Sequence, residues 1–282
     1  MAIALLHGGA SLARATFSVH PSTVIGIVAL VAVYEWAARA PSVGARDTIS
    51  RGQRLAFHGG LLVMFFTLNG PLHDLSDQFL FSAHMVQHLM LAFAIAPLLV
   101  MGTPGAMLRP VLRLRGVSPL ARWLTAPVHA FAIFNVVMAG WHLPALYNYA
   151  LAHHPVHIVQ HLCFLVASTI MWWPVMSTMP ELPRLSYPKQ MLYLFVLTFP
   201  MTLVAVIITY ADTLLYPLYA SAPRVMDLSP IQDQRLGGLI MWIPGGLIFV
   251  GVLSVVFFKW VGQYGEWGLG DGPEPAIGGE KK

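Results

Sequence analysis

Phe81-Ser-Ala-His84-Met-Val-Gln-His88-Leu-Met-Leu-Ala-Phe-Ala-Ile-Ala-Pro97 is the stretch that decides how this chain is read. It is an apolar, membrane-length segment that opens with two histidines four residues apart. The pattern returns as His157-Ile-Val-Gln-His161-Leu162, so both copies read His-x-Val-Gln-His-Leu. Residues i and i+4 share one helix face, and each copy therefore points two imidazoles at one place. Membrane insertion does not call for histidine, so these four residues need a chemical reason.

The rest of the composition agrees with a membrane reading. Of the 282 residues, 57% are hydrophobic and 10% charged, and mean hydropathy is +0.67. Soluble domains carry about 25% charged residues, so a soluble fold would have far too much apolar surface to hide. The class is an all-α, polytopic membrane helix bundle. The net charge of +4 does not imply nucleic acid, because the basic residues sit in short loops, where they set topology. Cys163 is the one cysteine, so an internal disulfide framework is excluded. Met1 to Leu6 lacks the positive start of a signal peptide.

Seven spans are expected, at about 22–38, 55–70, 80–101, 123–141, 156–176, 190–211 and 235–260. The loops after the first, third and fifth carry Arg39, Arg46, Arg51 and Arg54, then Arg109, Arg113, Arg115 and Arg122, then Arg184 and Lys189. The loops after the second and fourth hold His73, Asp74 and Asp77, then Tyr147, His153 and His154, with no Lys or Arg. The positive-inside rule puts the basic loops in the cytoplasm, the N-terminus outside and the C-terminus inside, for a multi-pass protein of the plasma (inner) membrane. The domains follow: an outer tail at 1–21, a membrane domain at 22–260 with hairpins at about 54–102, 123–176 and 190–260, and a disordered cytoplasmic tail at 261–282 rich in Gly, Pro and acids.

This topology gathers His73, His84, His88, His142, His153, His154, His157 and His161 at the outer ends of spans, while His58 and His129 lie deeper. Ionisable residues inside spans face the bundle interior and mark functional sites. Imidazole is the commonest metal ligand and suits copper, zinc, iron and nickel. The two His pairs offer four nitrogens at one level. Met85 beside the first pair adds a thioether, which with imidazole is a copper-like ligand set. Gln87 and Gln160 are placed to hydrogen-bond a ligand ring and fix its tautomer. The bland alternative is interhelical hydrogen bonding with the glutamines as glue. No Gly-rich phosphate loop, Gly-x-Ser-x-Gly or His-Glu-x-x-His is present, so an enzyme is not expected.

At His84-Met-Val-Gln-His88-Leu, Ala96-Pro97 and Gly102-Thr-Pro104 the chain resembles the CtaG family of polytopic membrane cytochrome c oxidase assembly factors. So do Trp141-His142-Leu-Pro144 with Tyr147, His157-Ile-Val-Gln-His161, and Asp233-Gln-x-Leu-Gly-Gly through Gly245. The match covers roughly residues 50–260. The resemblance implies a role in making an active haem–copper oxidase, with copper as cargo and oxidase subunits or a copper chaperone as partners. The expected metal ligands are His84, His88, His157 and His161. His73, His142, Asp233 and Met85 are the secondary or transfer ligands, and His58 and His129 the deeper candidates. A haem-binding redox protein is the alternative, with His58 and His129, or one residue of each pair, as axial ligands. A copper transporter and a structural scaffold come after it.

Overall fold

The computed structural model describes residues 17–39 and 49–268, with side chains to 263. Among these residues there is no strand. Helix α1 (Pro21–Ala38) is followed by α2 (Arg51–Thr67) and a short α3 (Pro71–Gln78). Then come α4 (Phe81–Leu89), a π-helical segment (Met90–Ile95) and α5 (Ala96–Gly102). At the basic end lie α6 (Gly105–Leu112) and α7 (Val117–Thr125). The chain continues through α8 (Pro127–His142), α9 (Pro144–Ala152) and α10 (His154–Met176). It closes with α11 (Tyr187–Thr209), a 3-10 turn (Pro217–Ala220) and α12 (Pro230–Gly268).

The starts are written in the sequence. Pro stands at the first turn of α1, α3, α8, α9, α10 and α11, where its missing N–H costs nothing. Ser50 and Gln53 form a capping box that begins α2 at Arg51, ahead of the expected 55. Gly70 has φ +70°, and this left-handed turn lets Pro71 restart the chain as α3.

Five helices are long and apolar enough to cross a membrane: α1, α4 through α5, α10, α11 and α12. The count reaches seven if α2 with α3, bent by 49°, and α7 with α8, bent by 73°, each form one span. α12 runs to Gly268, past the expected boundary at 260, and residues 269–282 of the expected tail lie outside the described residues. Most of the expected N-terminal tail, residues 1–16, does too.

α2 packs on α5, α8 on α10, and α11 along α12, while α12 also lies against α4 and α10 against α5. Trp172, Leu91, Ile95, Leu194 and Phe249 fill the middle of the bundle. Leu62, Leu203, Leu247 and Phe258 face outward, as lipid-facing positions of a bundle do. α1 is peripheral, with Tyr34 its one buried residue. The Tyr34 hydroxyl donates to the Gly102 carbonyl at 3.0 Å, tying α1 to the end of α5.

Trp172 serves a backbone need. Pro97 has no N–H to give the Ala92 carbonyl, five residues back in the π register. The Trp172 indole N–H donates to that carbonyl at 2.7 Å instead.

Candidate functional site

The site is assembled at the end of the bundle opposite the Arg-rich loops, and it depends on how α4 is held. The first amides of a helix have no intrahelical partners. Here Asp233 of α12 supplies them: Oδ2 accepts from the Phe81 N–H at 2.7 Å, and Oδ1 from the Ser82 N–H at 3.2 Å and from the Ser82 hydroxyl. α12 comes this close because residue 237 is Gly, and a methyl there would overlap the Phe81 ring.

With α4 so fixed, His84 and His88 project together and their Nε2 atoms are 2.9 Å apart. His161 of α10 meets them, and one ligand nitrogen from each of His84, His88 and His161 lies within 4.8 Å of the others. Metal–nitrogen bonds of about 2.0–2.1 Å hold two ligands at most about 4 Å apart, so small rotations close this triad around an ion. All three are buried. His157 stands beside them, its ring centroid 4.3 Å from His161 and 5.1 Å from His84. His142 lies 5.7 Å from His88. Its Nδ1 donates to the Met138 carbonyl at 2.6 Å, which leaves Nε2 as the free lone pair. His73 is 6.2 Å from His157 and 6.4 Å from His161. Buried nitrogens without a hydrogen-bond partner recur here: His88 Nδ1, and Nε2 of His142, His157 and His161. Buried polar atoms are normally paired, so this concentration marks where a ligand fits.

The surrounding polar groups fix ring orientation. Gln87 accepts from the Ser76 hydroxyl at 3.0 Å and donates to the Thr67 carbonyl at 2.8 Å and to His73 Nδ1 at 3.0 Å. Gln160 is buried with its Nε2 unpartnered. Asp77 stands 3.5 Å from His73 Nε2 and 3.3 Å from His157 Nδ1. The loop before α12 folds over the cluster. The Tyr219 hydroxyl donates to the Ser76 carbonyl at 2.8 Å and lies 2.9 Å from the Tyr147 hydroxyl and 3.4 Å from His84 Nδ1. Tyr216 donates to the His142 carbonyl at 2.8 Å. Sequence reasoning did not find Tyr216 or Tyr219, which sit in a loop without periodicity. Asp77 had a signal, its position four residues after His73.

Four expected residues are placed elsewhere. Asp233, expected as a transfer ligand, has both oxygens engaged in capping α4. Met85 is wholly buried, next in sequence to His84 and so turned about 100° away from it, and it packs toward Gly237 on α12. His58 is half-exposed at the basic end, 3.5 Å from Glu35, with Nδ1 donating to the Arg54 carbonyl. His129 stacks on Trp123 at 4.4 Å and donates to that residue's carbonyl. The structure thus gives His58 and His129 separate partners and does not bring them together as an axial pair.

A multi-pass helical membrane protein with a buried nest of imidazoles at one end is the class these features define. The chain belongs to the cytochrome c oxidase caa3 assembly factor family, whose model matches residues 27–263. It is 28% identical over 228 residues to the uncharacterized proteins Mb0105 of Mycobacterium bovis and MT0111 of Mycobacterium tuberculosis, covering 75% of this chain and 34% of each relative. It is 24% identical over 235 residues to the uncharacterized protein ML1998 of Mycobacterium leprae, covering 78% of this chain and 36% of that protein. The chain thus spans about a third of the length of the curated relatives it matches. No solved structure matches it.

Proposed function

We propose that this chain is an oxidase assembly factor that binds copper at its histidine end and hands it to a haem–copper oxidase subunit, directly or through a copper chaperone. One observation carries the reading: three buried histidines from two helices, His84, His88 and His161, with their ligand atoms within 4.8 Å of one another. His157 is the fourth ligand, completing an all-imidazole set suited to Cu(I). The cargo is held and released, and no reaction is catalysed. The loop charges put the histidine end on the outer face of the plasma membrane, with the tail beyond the membrane domain in the cytoplasm.

The test is copper content and Cu(I) affinity of the purified protein, wild type against His88→Ala and His161→Ala. Loss of a ligand lowers affinity more than removal of an orienting partner, which itself costs about 10–100-fold. Equal copper in all three proteins would falsify the site. A Soret band in the purified wild type would decide for haem.

A further inference from the structure

A cavity of about 260 Å³ lies between α1, α2 and α10. Its walls are apolar, including Ile27, Leu30, Met64 and Leu165, yet His20, His73, His154, His157 and His161 also line it. An apolar cleft gains nothing from five imidazoles.

His20 is brought there by design of the chain. The Gly70 N–H donates to the Ser18 carbonyl at 2.8 Å, and the His20 N–H to Asn69 Oδ1 at 2.7 Å. Ser18 also donates through its hydroxyl to Asp74. These ties pin residues 18–20 against the turn between α2 and α3. The His20 ring then sits 4.2 Å from His73 and 6.0 Å from the exposed His154, and its Nε2 is buried without a partner.

Asp77 adds the charge. Its side chain is 20% exposed and stands between His73 and His157. Its Oδ1 is close to His157, but no N–H is aligned on it. Among the described residues no Lys or Arg pairs with Asp77. A largely buried carboxylate without a cation is costly, and a bound metal cation would neutralise it. Ring centroids run from His20 to His73 at 4.2 Å, His73 to His157 at 6.2 Å, His157 to His161 at 4.3 Å and His161 to His84 at 5.8 Å. Each step is short enough for ligand exchange.

We infer that a second copper station lies at the edge of this cavity, built by Asp77 and His73 with His20 and His154 at its mouth, which takes the cation from outside and passes it by way of His157 to the triad. The inference rests on the reading of the triad as a copper site. A carboxylate is a harder ligand than imidazole, so the outer set holds Cu(I) less tightly than the all-imidazole triad. Transfer inward is therefore downhill.

The experiment uses the full chain in nanodiscs, titrated with Cu(I) under reducing conditions against a chromogenic chelator, with stopped-flow loading. Wild type is expected to bind two equivalents in two affinity classes. Asp77→Asn, which keeps the side-chain shape, should lose the weaker one and load the other about tenfold more slowly. His20→Ala, a half-buried position ahead of α1, should slow loading in the same direction and controls for folding defects. His161→Ala should lose the tighter equivalent and keep the weaker. One equivalent, unchanged in stoichiometry and rate by Asp77→Asn, overturns the station and leaves the triad standing. One equivalent whose affinity alone falls in Asp77→Asn makes Asp77 an orienting partner of His157, and also overturns the station. A single equivalent in wild type, lost in Asp77→Asn but kept in His161→Ala and His88→Ala, supports the station and overturns the triad. No copper in any protein overturns both.

Discussion

Gln87 holds three buried polar groups at once: the Thr67 carbonyl, the Ser76 hydroxyl and His73 Nδ1. Gln87→Leu strands the Thr67 carbonyl and His73 Nδ1, while Ser76 keeps its bond to the His73 carbonyl, and a buried unpaired group costs about 1–3 kcal/mol. The expected result is a lower melting temperature of the purified protein. A melt indistinguishable from wild type would show that water replaces the glutamine. The sequence made Gln87 a candidate for orienting an imidazole, since it lies between two histidines. It could not say that the imidazole is His73, because that contact depends on the Gly70 turn folding α3 back onto α4. Asp233 shows the opposite failure. It was expected as a transfer ligand, but the unpaired amides of α4 claim it. Nothing local in either segment reveals that the two meet.

At the scale of elements, α4 and its continuation carry two further expectations. Gly237→Ala places a methyl against the Phe81 ring, and overpacking of this kind costs about 1–3 kcal/mol. Phe81→Leu in the same protein should recover part of the lost stability, because residues in contact do not act additively. Full additivity in a double-mutant cycle would remove the close approach from the account. Trp172→Phe withdraws the donor from the Ala92 carbonyl and should cost a similar amount of stability, about 1–3 kcal/mol, seen as a lower melting temperature. The continuous span from 80 to 101 was legible from hydropathy. The π segment inside it was not, since it needs both Pro97 and a tryptophan 80 residues away.

Over the whole molecule, the helical membrane class and the grouping of the histidines at one end could be read from composition and loop charge alone. The expected seven spans require α2 with α3 and α7 with α8 each to form one span, and hydropathy does not reveal the sharp angle within each pair. Orientation is open to direct measurement, since Cys163 is the one native thiol. In a Cys163→Ser background, His153→Cys should react with a membrane-impermeant thiol reagent in intact cells, and Arg113→Cys only after lysis. Both positions are exposed, at the histidine and arginine ends respectively. The reverse pattern would turn the protein over and put the copper reading on the cytoplasmic face.

The bend of 73° between α7 and α8 leaves α8 with 16 residues. At 1.5 Å per residue that is about 24 Å, less than the roughly 30 Å of bilayer hydrocarbon. α7 has no buried residue, and it exposes Leu120 and Trp123, as a helix lying in the headgroup layer does. Lipid around this flank must therefore thin to meet the protein, at a cost of fractions of a kcal/mol per Å. Acyl-chain length becomes a variable of the system. Nanodiscs of short-chain lipid should raise the melting temperature and long-chain lipid lower it, and a flat response would mean that α7 sinks to make up the length.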